Sequence, residues 1–263
     1  MTNPIFEKTI CYLFDMDGTL YLGEQVLPGA QDLLLWLNEN QKPYFLLTNN
    51  SSQSKSDYYA KVQRLGLPVG ELQIFTSGEA TAIFMNRRYL DKRIYVVGMP
   101  SLEAEFIAHG INLTDSDPDV VVLGFDTTMT YEKLRKLCGF IQAGTPYIAT
   151  HSDINCPTES GFIPDIGAVI AFVAASTGRY PDVVVGKPNA PIVNAICEKT
   201  GYIPAELTMV GDRLYTDIAM GQSGLKTILV LSGETKIEDV ESSPYQPDLI
   251  VTGVAELLTL IHD

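Results

Sequence analysis

The chain is short of positive charge, of cysteine and of long apolar runs. Eighteen Lys and Arg stand against 32 Asp and Glu over 263 residues, a formal net charge of −14. Such a surface repels nucleic acid on average, and no basic run offsets it, so no nucleic-acid partner is expected. An anionic small substrate would need local positive charge, from a metal or a single well-placed lysine. The four cysteines (Cys11, Cys138, Cys156, Cys197) are scattered, with no CxxC pair. They read as reduced core or loop residues of a cytoplasmic protein. No stretch approaches the roughly 18 apolar residues of a membrane span. The opening "MTNPIFEKTI" has no basic patch leading into an apolar segment, so no signal peptide is expected. Repeats, low-complexity segments and long linkers are missing too. No GxxxxGK[ST] loop is present, which argues against an ATP-using kinase.

What is present is ordinary for a soluble globular protein: 46% hydrophobic and 19% charged residues, on a chain long enough for one large domain or two smaller ones. Short apolar runs alternate with longer periodic ones. The runs 10–14, 43–47, 94–98, 120–125, 147–150, 182–186, 207–211, 227–231 and 248–251 read as strands. Most lack polar alternation, which suits strands buried on both faces of a parallel sheet. Helical periodicity marks 30–39, 56–65, 79–89, 102–108, 131–142, 166–176, 190–200 and 254–261. Strand–helix alternation throughout predicts an α/β class with a doubly wound, Rossmann-like parallel sheet.

Ligands of that class bind at the carboxyl ends of the strands, so the residues found there matter most. The first strand ends in Asp15, with Asp17 two residues on. The second ends in Thr48, followed by Asn49 and Asn50. The strand at 182–186 runs into Lys187, and that at 207–211 into Asp212, with Asp217 five residues later. Period-two geometry points Asp15 and Asp17 to one side. Carboxylates held this close repel unless a cation separates their roles, and magnesium prefers a few oxygen ligands plus waters and phosphate oxygens. Asp15, Asp17 and Asp212 are the candidate metal set, with Asp217 ordering the metal's waters. An N-cap explains Asp217 as well, and Thr48 and Asn49 could simply cap the next helix. Thr48 offers a hydroxyl and Lys187 a compact charge to a phosphate. An ionised Asp15 can attack phosphorus, and Asp17 suits the acid and base steps. Gly18 permits a sharp turn beside the acids.

These residues resemble the haloacid dehalogenase (HAD) superfamily. Its motif DxDGT matches "DMDGT" at 15–19. A strand-closing Thr matches Thr48 in "LLTNNSS", the lysine matches Lys187 in "GKPN", and GDxxxxD matches "GDRLYTD" at 211–217. All four occur in family order and span most of the chain. The resemblance implies a phosphatase with Asp15 as nucleophile and Asp17 as acid/base. It implies phosphate contacts from Thr48, Asn49 and Lys187, and Mg2+ held by the Asp15 carboxylate, the Asp17 carbonyl and Asp212. Backbone 213–216 would lie near the substrate. No helical cap fits between Asp17 and Thr48. Beyond Thr76 roughly 100 residues precede Lys187, enough for a separate domain. That looks like the α/β cap of class IIA, the p-nitrophenyl phosphatase or NagD-like group, as do "TSGEAT" at 76–81 and the stretch 150–168. The implied division is a hydrolase core at 1–77 and 181–263 with a cap at 78–180. Caps of this type often carry homodimer contacts. His151, Asp153 and Asn155 are candidates for contacts to the leaving group. A binding module of the same fold without turnover is the alternative, although it would have no need of Asp17. Dehalogenases need no metal triad, and phosphonate cleavage uses a lysine from a helical cap that has no room here.

Overall fold

The computed structural model describes residues 4–158 and 161–262. The opening stretch and the stretch 150–168 therefore each include residues outside the described set (1–3 and 159–160). In chain order the strands are β1 (Cys11–Phe14), β2 (Tyr21–Leu22), β3 (Gln25–Val26), β4 (Tyr44–Thr48), β5 (Ile74–Thr76), β6 (Arg93–Val97), β7 (Asn112–Leu113), β8 (Val120–Leu123), β9 (Tyr147–Ala149), β10 (Asn155–Thr158), β11 (Gly161–Pro164), β12 (Val183–Val184), β13 (Leu207–Gly211), β14 (Lys226–Val230) and β15 (Leu249–Val251). The predicted apolar runs recur among them with ends shifted by a residue or two. The runs missed are β5, β7 and the hairpins β2–β3 and β10–β11. β2, β3, β5 and β7 are only two or three residues long, β10 (NCPT) is not an apolar run, and β11 is exposed.

The chain divides into two compact units. The first comprises Met1–Thr48, Lys55–Phe75 and Lys187–Asp263; the second comprises Asn49–Ser54 and Thr76–Gly186. The second unit thus runs slightly wider than the expected 78–180 insertion and takes in the loop after β4. Side-chain bonds explain that: Ser51 Oγ accepts from Phe125 N–H at 2.9 Å and pairs with Thr150 Oγ1 at 2.9 Å, and Ser101 Oγ donates to Ser52 O.

The first unit is built on a sheet of order β15-β14-β13-β1-β4-β5. β1 pairs in parallel with β4 and with β13, β13 with β14, and β14 with β15. All residues of β1 and β13 are buried, as their unbroken apolar character requires of central strands. The helix Ala30–Glu39 packs Leu33, Leu34 and Leu37 into this core and leaves Asp32 and Glu39 outside. Trp36 joins the same cluster, half-buried. Sheet order builds outward from β1 through β4 to β5, then restarts at β13 and runs the other way. The reversal falls between β1 and β13, the crevice where open parallel sheets bind ligands.

The second unit carries its own parallel sheet, β12-β9-β8-β6-β7, with the antiparallel hairpin β10–β11. Its core gathers Val97, Val121, Leu123, Leu137 and Ile170 among others. Asp165 caps the helix Ile166–Thr177 by accepting from Ile166 N–H. Among the described residues, no helix is long and apolar enough to cross a membrane.

Candidate active site

β1 ends at Phe14, but its neighbour holds the chain one residue further, since Asp15 N–H donates to Val210 O of β13 at 2.9 Å. Alternation also persists: Met16 is buried while Asp15 and Asp17 are part-exposed, so both acids leave the core on one side. Gly18 then turns the chain with φ +87, a left-handed conformation that disfavours a Cβ.

Lys187 organises the site. Its side chain is buried, and the ammonium donates to Asp15 Oδ1 at 2.5 Å, to Asp217 Oδ1 at 2.8 Å and to Leu47 O at 3.2 Å. One cation thus ties the end of β1, the end of β4 and the segment after β13. Burial alone would lower its pKa, but the carboxylates of Asp15 and Asp217 more than reverse that and hold it above the ordinary lysine value. Thr48 is the buried last residue of β4, next to the Leu47 carbonyl that Lys187 contacts.

Asp217 stands at the N-cap position of a short 3-10 helix, yet its side chain makes no cap bond. It spends both oxygens elsewhere, Oδ1 on Lys187 and Oδ2 on Arg213 N–H at 3.1 Å. The capping explanation therefore fails, and Asp217 reads as the buried anchor of the lysine.

Asp15, Asp212 and Asp217 bring carboxylate oxygens within 4.8 Å of one another. Burial, and then the repulsion of Asp15 and Asp217, pushes the Asp212 carboxyl well above the usual carboxylate range. Burial pushes Asp217 upward as well, against the pull of Lys187. Asp212 Oδ2 accepts from Glu234 N–H at 2.7 Å, but Oδ1 is buried with no hydrogen-bond partner among the described residues. An orphaned carboxylate oxygen amid surplus negative charge is what a hard divalent cation would relieve, so these residues fit a metal. Asp17 is likewise raised by burial, which outweighs the opposing charge of Lys61 and a 3.4 Å contact from Gly23 N–H. A carboxyl with raised proton affinity suits an acid/base role at neutral pH.

The remaining sequence candidates belong to the second unit. Asn49 Nδ2 donates to Asp153 Oδ1 at 3.1 Å. His151 is wholly buried, with Nδ1 3.1 Å from Thr150 Oγ1 and Nε2 3.0 Å from Asp165 Oδ1. Both ring nitrogens are engaged, which leaves no ring atom for a leaving group; His151 braces the capping aspartate instead. Asn155 opens the hairpin strand β10. Sequence reasoning passed over Glu234 and the loop after β14. The strand-end rule applied to that strand flags "LSGE" at 231–234 as readily as it flagged Asp212.

The chain is similar to known hydrolases and phosphatases. The haloacid dehalogenase-like hydrolase model matches residues 12–112, and a HAD-hydrolase-like model matches residues 184–257. The crystal structure of 4-nitrophenylphosphatase from Thermotoga maritima superposes with a TM-score of 0.93 at 44% identity, covering 98% of this chain and 99% of that one. Ribonucleotide monophosphatase NagD of Escherichia coli K12 is 37% identical over 95% of this chain and 98% of its own length. Dihydroxyacetone phosphatase of Corynebacterium glutamicum is 34% identical over 94% and 90%.

Proposed function

The chain belongs to the haloacid dehalogenase-like hydrolases, and we propose from that premise that it is a phosphatase that cleaves small organic phosphomonoesters through an aspartyl-phosphate on Asp15. The observation that carries the reading is the Lys187 ammonium, which bridges Asp15 and Asp217 at the switch point of the sheet. Relatives named as 4-nitrophenyl, ribonucleotide and dihydroxyacetone phosphatases support nucleotide, sugar or aryl phosphates as the substrate class.

In the first step an Asp15 carboxylate oxygen bonds to phosphorus as the ester P–O bond breaks, and Asp17 gives its proton to the departing oxygen. In the second, Asp17 takes a proton from water. The water oxygen bonds to phosphorus, the Asp15–phosphorus bond breaks, and inorganic phosphate leaves. Lys187 places positive charge against the phosphoryl oxygens, and Thr48 supplies a hydroxyl at the same strand ends. The Asp15 and Asp212 carboxylates and the Asp17 carbonyl would hold magnesium, which neutralises phosphoryl charge when bound. Asp217, with both oxygens engaged, stays outside the direct ligands. The second unit is read as the α/β cap of class IIA, and four free cysteines support a reducing cytoplasmic setting.

Hydrolysis of p-nitrophenyl phosphate and a metabolite panel, with and without magnesium, tests the reading. Turnover that requires magnesium supports it. Phosphate binding without turnover would make the chain a binding module instead.

A further inference from the structure

We propose that the loop after β14 is a positioning element for the metal site, with Ser232 and Gly233 deciding which oxygen of Asp212 is left for the cation. The proposal rests on the reading of Asp212 as a metal ligand.

The carboxylate of Asp212 is gripped from two sides by backbone that can come close only without a side chain. A Cβ on Gly18 would run into its Oδ2 and lie 2.7 Å from its Cγ; a Cβ on Gly233 would run into the same oxygen and lie 2.5 Å from Cγ. Such distances are far inside van der Waals contact, so both glycines are required by close approach. One of the two walls is the turn that follows Asp17. The other is the loop after β14.

Ser232 fastens the walls together. Its hydroxyl donates to Gly18 O at 2.8 Å, linking positions 214 residues apart in sequence. Next to it, Glu234 N–H donates to Asp212 Oδ2 at 2.7 Å, and Thr235 N–H reaches the Asp212 carbonyl at 3.3 Å. Oδ2 is therefore spoken for by the loop. Oδ1 is buried and has no hydrogen-bond partner among the described residues. The loop thus sorts the two oxygens of one carboxylate into a tethered one and a free one.

Ser232 also acts on the other side of the site. Gly18 O belongs to the Gly18–Thr19 peptide, the next one along from the Asp17 carbonyl that is a proposed ligand. A hydroxyl that pins Gly18 O limits rotation of that turn, and so holds the Asp17 carbonyl and the Asp212 carboxylate in one arrangement. Groups that orient metal ligands in this way typically change metal affinity by 10- to 100-fold when removed.

The test measures magnesium binding directly, by calorimetry and by the rise in melting temperature on titration, with the melting temperature in EDTA as control. Ser232→Ala should raise the magnesium concentration at half-saturation about tenfold or more, with metal-free melting close to wild type. Ser232→Thr, which keeps the hydroxyl, should restore most of the affinity. Gly233→Ala should lose more than Ser232→Ala, because its methyl displaces Asp212 itself. Unchanged magnesium affinity in Ser232→Ala overturns the proposal, and so does a loss confined to metal-free stability. A wild-type chain that binds no magnesium, or an Asp212→Asn chain that binds it normally, overturns the metal reading underneath. These outcomes are distinct.

Discussion

Two clusters in this molecule look alike on paper. Asp15, Asp212 and Asp217 in the first unit, and His151, Asp153 and Asp165 in the second, each bring three metal-ligating side chains within 4.8 Å. Their surroundings differ. In the second cluster each group is answered by a protein partner: His151 by Thr150 and Asp165, Asp153 by Asn49, and Asp165 by the N–H of Ile166 as well. In the first, one ammonium is shared between two carboxylates, and a third acid is crowded by both; Asp212 spends Oδ2 on Glu234 N–H, but its buried Oδ1 has no hydrogen-bond partner among the described residues. Proximity of ligating atoms is thus a weak criterion for a metal centre. Unmet charge and an unanswered lone pair are the stronger ones, because burial makes both costly unless something else binds.

The comparison can be broken most decisively at Asp15, the proposed nucleophile. Asp15→Asn should lower turnover of p-nitrophenyl phosphate by on the order of 10³-fold or more, with the fold retained by circular dichroism. Substantial residual hydrolysis would remove Asp15 from the reaction. Asp212→Asn comes next. At magnesium near 100 times its dissociation constant, binding to the native state alone adds about 2.7 kcal/mol of stability. The wild-type melting temperature should therefore fall on adding EDTA, and Asp212→Asn should show no such fall. A normal magnesium response in that variant would place the metal elsewhere.

Much of this contrast was legible in the sequence, but unevenly. Lys187 follows β12, which pairs with β9 in the second unit's sheet, so the strand-end rule does not by itself bring it to Asp15. Asp15 and Asp212 do follow unbroken apolar strands of one parallel sheet, which puts such ends on one edge, so their convergence could be argued from the sequence alone. The roles of Asp217 and His151 could not. A helix cap and a lysine anchor require the same acid at the same position, and only the bonds to Lys187 and Arg213 N–H separate them. His151 follows a strand end as Asp15 does, and the sequence does not reveal that its ring is enclosed. The loop Asn49–Ser54 joins the second unit through Ser51 and Ser52, whose bonds to Thr150, Phe125 and Ser101 span 49 to 99 positions. Such long-range polar pairing leaves no local pattern.

A smaller effect belongs to the second cluster. Asp165→Ala removes the helix cap, worth about 1 kcal/mol, and strands the buried Nε2 of His151, at about 1–3 kcal/mol. Urea unfolding should therefore show a loss of about 3 kcal/mol with its EDTA sensitivity unaltered. If the loss instead vanished in EDTA, the cluster would be binding metal and the contrast between the two sites would collapse.

The smallest effect is the sharpest check on that contrast. Asp153 is half-buried, and its Oδ1 accepts a single 3.1 Å bond from Asn49. Asp153→Asn keeps an acceptor oxygen in the same place and removes only the charge. A side chain whose work is one hydrogen bond should tolerate that with a loss under about 1 kcal/mol. A carboxylate holding a divalent ion should not, because an amide oxygen carries no net charge to set against the cation. Melting of Asp153→Asn with magnesium and with EDTA separates the two. The wild-type magnesium response is expected in full, since Asp153 is half-exposed and open to water, whereas Asp212 is buried with Oδ1 unpaired among the described residues.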